Sequence, residues 1–436
     1  MSGITKKNVD FPTTGWEMHS LITELYPICR SITGEGVRET LKILKKVIPL
    51  EITEIPSGTK VFDWTIPKEW NIRDAYIKNS HGKKIVDFKK SNLHVMSYSS
   101  PVSKKIPLTE LKKHLHTLEE YPEWIPYLTS YYSENWGFCV CKNDLNNFKS
   151  GSYDVVIDSS LKNGSLSYGE YYLKGRNKDE VLLSTYLCHP SLCNDNLSGV
   201  VLITHLAKIL KTTKLKYSYR FLFIPETIGA IAWLSQNQQN ISKIKYGLVA
   251  TCVGDPGIST YKKSRDGANT IDLISQLVLE ESGDAYRIVE FFPSGSDERQ
   301  FCSPGFNLPV GSLMRTPYGQ FPEYHTSADN LDFVTAEHLA DSLKKYLDII
   351  YIIENNAVYY NQNPKCEPQL GRRGLYRKIG SQKNSDLDEM AIFWVLNLSD
   401  GKHSLLDIAI RSKIPFRKIR QAADSLKKYD LILEER

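Results

Sequence analysis

No stretch of this 436-residue chain stays apolar for the roughly 18–20 residues that a membrane helix needs. The N-terminus, Met1 to Asp10, carries Lys6 and Lys7 and lacks an apolar core of signal-peptide length. Neither a membrane span nor export is expected. Charge of one sign is scarce too. The chain has 55 basic and 50 acidic residues, a net charge of +5 spread along its length. So small an excess does not call for nucleic acid as a partner. Zinc-finger spacing is missing as well. The eight cysteines are scattered, and the close pairs Cys139/Cys141 and Cys188/Cys193 have no zinc-finger company. They read as reduced thiols of a cytoplasmic protein. What remains is an ordinary globular composition, 41% hydrophobic and 24% charged, long enough for two or three domains.

The pattern predicts helices over 16–26 and 37–47, the second with Val37, Leu41, Leu44 and Val47 along one face. Between them, Cys29 to Gly36 is either a helix–helix turn or a loop covering a site. From about 53 to 117, short strands cut by Pro and Gly suggest a small β-rich module inserted into a main domain of 1–52 and 118–365. His81, His94, His114 and His116 fall in or beside the module, with no carboxylate at ligand spacing, and read as structural. A strand pair is expected over 153–158 and 165–173. Strands and helices then alternate to Ile353, which predicts a helix-flanked, mostly parallel sheet. Residues 361–385 have linker composition. Residues 381–436 read as a winged helix whose third helix carries Arg417, Lys418 and Arg420, a set suited either to phosphates or to docking.

Chemistry concentrates where strands of such a sheet end. Val181 to Leu187 is a buried-strand run, followed by His189 and, six positions on, Asp195 before a helical stretch from Ser198. The carboxyl ends of strands form the ligand crevice of an α/β sheet, so this imidazole and carboxylate can meet on one metal ion. Alternatively, Asp195 merely caps the helix. Glu226 follows the apolar strand Phe221 to Ile224 and suits a metal ligand or a base that takes a proton from water. His325 lies in a polar loop, 322–330, before the last long helix.

The order His189, Asp195-Asn196-Leu197-Ser198-Gly199, Glu226, Ser296-Asp297 and Tyr324-His325-Thr326 resembles the zinc aminopeptidases of the leucyl-aminopeptidase and glutamate-carboxypeptidase group. In particular it is similar, over essentially its whole length, to a bacterial aminopeptidase-like branch often labelled as polysaccharide-biosynthesis proteins. That resemblance implies a phosphorylase/hydrolase-like α/β/α sandwich with an inserted small β domain and a C-terminal winged helix. It implies metal binding by His189, Asp195 and His325, and Glu226 as general base. Asp297, Glu298, Tyr324 and Arg315 are candidate substrate contacts; Arg299 could equally neutralise Asp297 as a structural ion pair.

Three positions depart from the family's two-zinc pattern. Ser191, Thr227 and Thr251 stand where carboxylates are usual. One zinc per chain is therefore expected, unless Asp255, Asp297 or Glu298 supplies a second set of ligands. The implied activity is hydrolysis of an amide in a small peptide or related substrate by zinc-activated water, with a homo-oligomer as an open option. Two alternatives stand beside it: an amidase or deacylase acting on an amino sugar in surface-polysaccharide synthesis, and a non-catalytic ligand-sensing winged-helix regulator.

Overall fold

The computed structural model describes residues 9–375 and 389–435, which fall into two compact units. The larger takes residues 9–273 and 284–345, the smaller 274–283 with 346–375 and 389–435.

The larger unit opens with helices α1 (Phe11–Leu25) and α2 (Glu35–Val47). Asp10 caps α1, its carboxylate accepting from the Thr13 amide, and Pro12 sits in the first turn, where its missing N–H costs nothing. Strand β1 (Glu51–Pro56) follows. The next strands are β2 (Glu69–Lys78), β3 (Lys84–Asp87), β4 (Val102–Pro107) and β5 (Ser152–Lys162). They make a separate four-stranded antiparallel sheet in the order β3-β2-β5-β4.

This arrangement differs from the expected insert of 53–117 at both ends. Strand β1 belongs to the main sheet, and β5 is drawn into the small one. The expected pairing of 153–158 with 165–173 is not formed. Along β5 the residues Tyr153, Val155 and Ile157 are buried at every second position, a one-sided pattern that suits the small sheet's own core.

The main sheet adds β6 (Ser165–Leu173), β7 (Glu180–Tyr186), β8 (Ser218–Ile224), β9 (Ile244–Ala250), β10 (Ser259–Lys262), β11 (Tyr286–Val289) and β12 (Val310–Met314). Its order is β1-β6-β8-β7-β9-β12-β10-β11. The centre, β8-β7-β9-β12, is parallel throughout. Every residue of β7 and β8 is buried, so both faces of the sheet are covered, as an α/β/α sandwich requires.

Helix α3 (Ser198–Leu210) packs on β7, β8 and β9, with α1 and α2 against it. Its close seat depends on Gly199, where a Cβ would come within 2.4 Å of the Ala250 carbonyl oxygen. Helices α4 (Ile228–Asn237), α5 (Thr270–Ser282) and α6 (Ala336–Asn355) continue the alternation expected from the sequence.

In the smaller unit, helices α7 (Glu389–Leu398), α8 (Leu405–Ser412) and α9 (Phe416–Lys428) pack on one another. Strands β13 (Val358–Asn361), β14 (Asp400–Ser404) and β15 (Ile432–Glu434) form a three-stranded sheet with β13 in the middle. The winged helix therefore begins at Val358 rather than 381. The polar run from Asn361 conceals the strand because Tyr359 and Tyr360 precede it directly. Of the expected linker, 376–388 lies outside the described residues.

Candidate metal centre

His189 leaves β7 after three residues and is 7% exposed. Its backbone carbonyl accepts from Arg30 Nε at 2.8 Å. Arg30 also donates to the carbonyls of Leu25 at 2.6 Å and Pro190 at 3.5 Å. The loop from Cys29 to Gly36 thus sends a buried guanidinium to hold the His189 segment, which neither expectation for that loop anticipated. Burial pushes the His189 imidazole down to about 4, keeping it neutral and able to coordinate. Ser191 donates to the Tyr26 carbonyl at 2.7 Å and so anchors the segment after His189.

Asp195 is fully buried in the turn before α3. The turn is shaped from outside: Asp329 accepts from the amides of Asn194 at 2.5 Å and Asp195 at 2.9 Å. Asn196 donates to Thr185 Oγ1 and to the Tyr186 and Ala250 carbonyls, tying the turn to two strand ends. Burial opposes ionisation of Asp195, but His189 and His325 outweigh it and hold the carboxyl at about 2. Its Oδ1 accepts from the Tyr186 hydroxyl.

His325 comes from the loop before α6. The segment around Tyr127 fixes that loop through the Tyr127 amide, which donates to the His325 carbonyl at 2.7 Å, and a bridge between Pro126 and Thr326. Tyr324 stacks on the His325 ring at 3.9 Å between centroids.

These three residues converge. His325 Nε2 is 2.9 Å and His189 Nε2 3.7 Å from Asp195 Oδ2. Beyond this contact with each other, neither Asp195 Oδ2 nor His325 Nε2 has a hydrogen-bond partner among the described residues. Ligands about 2.1 Å from a tetrahedral zinc ion lie roughly 3.4 Å apart, so the donor set and its spacing fit such an ion. Glu226, at the end of β8, brings Oε2 to 4.0 Å from His189 Nε2 and is 27% exposed. Burial, then Asp297 and Asp195, hold its pKa well above the ordinary carboxylate range. Cys188, His189 and Glu226 also cluster, but burial raises the Cys188 thiol, which disfavours the thiolate a metal needs.

The remaining candidates divide. Asp297 is buried, with Oδ1 accepting from the Thr227 amide at 2.7 Å and Oδ2 unpartnered. Arg299 donates to Thr227 Oγ1 rather than neutralising Asp297. Glu298 is not available to substrate: it is fully buried in an ion pair with Lys262 at 2.7 Å. Arg315 is likewise committed, to Asp341 at 2.6 Å. Asp255 accepts from Asn194, Gly257 and Thr316 and stands outside the cluster. Sequence reasoning missed Tyr186, Arg30, Tyr127 and Asp329. Asp329 and Arg30 lay within loops already singled out, whereas Tyr186 and Tyr127 carried no local signal.

Fold and centre together define an aminopeptidase-like α/β protein. The structure of the zinc aminopeptidase BSAP from Bacillus subtilis matches it with a TM-score of 0.57 at 12% identity, over 78% of this chain and 95% of that one, a likeness of fold. The chain belongs to the family described as a domain of unknown function (DUF4910), which matches residues 19–356, followed by a winged helix-turn-helix over 357–434. A Clostridium acetobutylicum protein is 60% identical over 432 residues, 99% of both chains. It carries the provisional name of polysaccharide biosynthesis protein with an aminopeptidase-like domain. A crystal structure from the same organism, titled provisionally as a peptidase, has a TM-score of 0.94 at 59% identity and covers 98% of each chain. Among the described residues no helix is long and apolar enough to cross a membrane.

Proposed function

We propose that this chain is a metal-dependent hydrolase of amide bonds, with one zinc ion held by His189, Asp195 and His325. The carrying observation is the convergence of those three side chains, two from the loop after β7 and one from the loop before α6, with Asp195 Oδ2 and His325 Nε2 lacking any partner beyond each other among the described residues. Zinc in such a place polarises a carbonyl and makes water more acidic. Glu226 is the base: its carboxylate takes the proton from water and returns it to the departing amine. Burial raises the proton affinity of Glu226, and a bound cation would lower it and favour the carboxylate. The free oxygen of Asp297 suits the amino group of an aminopeptidase substrate. All eight cysteines are unpaired, in keeping with a cytoplasmic setting.

The test is release of p-nitroaniline from aminoacyl-p-nitroanilides, abolished by chelation and restored by zinc. The relative's name favours a second reading, an amidase or deacylase acting on an acylated amino sugar. Deacylation of such a sugar without anilide cleavage would select it. Failure on both substrates, with zinc bound, would favour a ligand-sensing role.

A further inference from the structure

We propose that the Tyr186 hydroxyl caps one oxygen of Asp195 and thereby restricts the centre to a single ion. This rests on the reading that His189, Asp195 and His325 hold zinc. A carboxylate that joins two ions by giving one oxygen to each needs a coordinating position open on both oxygens. In Asp195, Oδ2 faces His189 and His325, while Oδ1 accepts the hydroxyl proton of Tyr186. The phenol has one proton, and it is spent on Asp195. The 2.7 Å contact between Tyr186 and Thr251 Oγ1 must therefore be donated by Thr251.

The arrangement is built into the sheet. Ser184 and Val249 are partners on the parallel strands β7 and β9, which sets Tyr186 and Thr251, two residues further on, side by side. Tyr186 is 2% exposed, so no bulk water competes for its hydroxyl. Among the described residues, the recorded partners on the Oδ1 side of Asp195 are the Tyr186 hydroxyl and, behind it, that of Thr251, neither of them a carboxylate or an imidazole. The same hydrogen bond orients Oδ2, making Tyr186 a positioning residue for the first ion.

Metal-free protein titrated with zinc against a chromogenic chelator, with bound metal counted after gel filtration, tests this. The wild type is expected to hold one ion. Tyr186→Phe should still hold one, with affinity weakened about 10–100-fold. Tyr186→Phe combined with Thr251→Asp should hold two, because Oδ1 is freed and a carboxylate added. Thermal unfolding would confirm that each variant is folded. Wild-type affinity in Tyr186→Phe, or a single ion in the folded double variant, would overturn the proposal while leaving the hydrolase reading intact. Two tight ions in the wild type would do the same. Wild-type protein that takes up no zinc would instead remove the hydrolase reading itself, and this proposal with it.

Discussion

His325 Nε2 lies 2.9 Å from Asp195 Oδ2, and the ring centres of His325 and His189 are 5.3 Å apart. Two loops of the sheet's crevice, 187–197 and 322–330, therefore deliver three ligand atoms to one point. Removing either imidazole leaves two ligands, too few for a tight zinc site. His189→Ala and His325→Ala should each lose the bound ion, read by elemental analysis of protein purified without added metal. Retention of a full complement in either variant would refute the ligand set.

Glu226 reaches the same point from β8 and keeps partial exposure. If it only moves protons, Glu226→Gln should retain zinc and lose on the order of 10²–10⁴-fold in turnover. Zinc loss in this variant would make Glu226 a ligand.

Arg30 is 1% exposed, and its recorded hydrogen-bond partners are backbone carbonyls. Arg30→Met leaves those acceptors unmet and should cost about 1–3 kcal/mol in chemical denaturation. It should also weaken zinc binding, since the His189 carbonyl loses its clamp. A variant as stable as the wild type would show that Arg30 holds nothing in place.

Glu69 links α2 to the small sheet. Burial resists its ionisation, but hydrogen bonds from Arg38, the Ser165 amide and Asn71 prevail and lower it from 4.5 to about 2. A carboxylate depressed in the folded state adds stability that is complete above about pH 4.5 and is lost as pH falls toward 2. Glu69→Gln should lower stability at pH 7 and flatten the acid limb between pH 5 and 2, as thermal melts across that range would show.

In the winged helix, Arg417 pairs with Asp348 at 3.0 Å and stacks on Tyr351. Arg420 pairs with Asp424 and donates to the Asn355 carbonyl. With Arg417, Arg420 and Lys427 engaged inside the unit, α9 is poorly placed to meet phosphates. We expect no salt-dependent binding to duplex DNA by fluorescence anisotropy, and a lowered melting temperature for Arg420→Ala. Tight binding that weakens steeply with salt would reverse this view.

The sequence by itself determined the alternation of strands and helices, the parallel centre of the sheet and the loops carrying His189, Asp195, Glu226 and His325. Periodicity and strand ends are local properties, written in neighbouring residues. It misassigned the strand at 152–162, because an alternating strand does not state which sheet it will join. It likewise offered Glu298 and Arg315 to substrate, since charge is visible in a sequence and its partner is not. Only the tertiary structure decided that Lys262 and Asp341 claim those two side chains, that Arg30 holds the His189 carbonyl, and that Tyr186 takes one oxygen of Asp195. Each of these depends on residues far apart in the chain meeting in a water-free interior, where an unpaired charge or polar group is costly and its choice of partner governs what the site can bind.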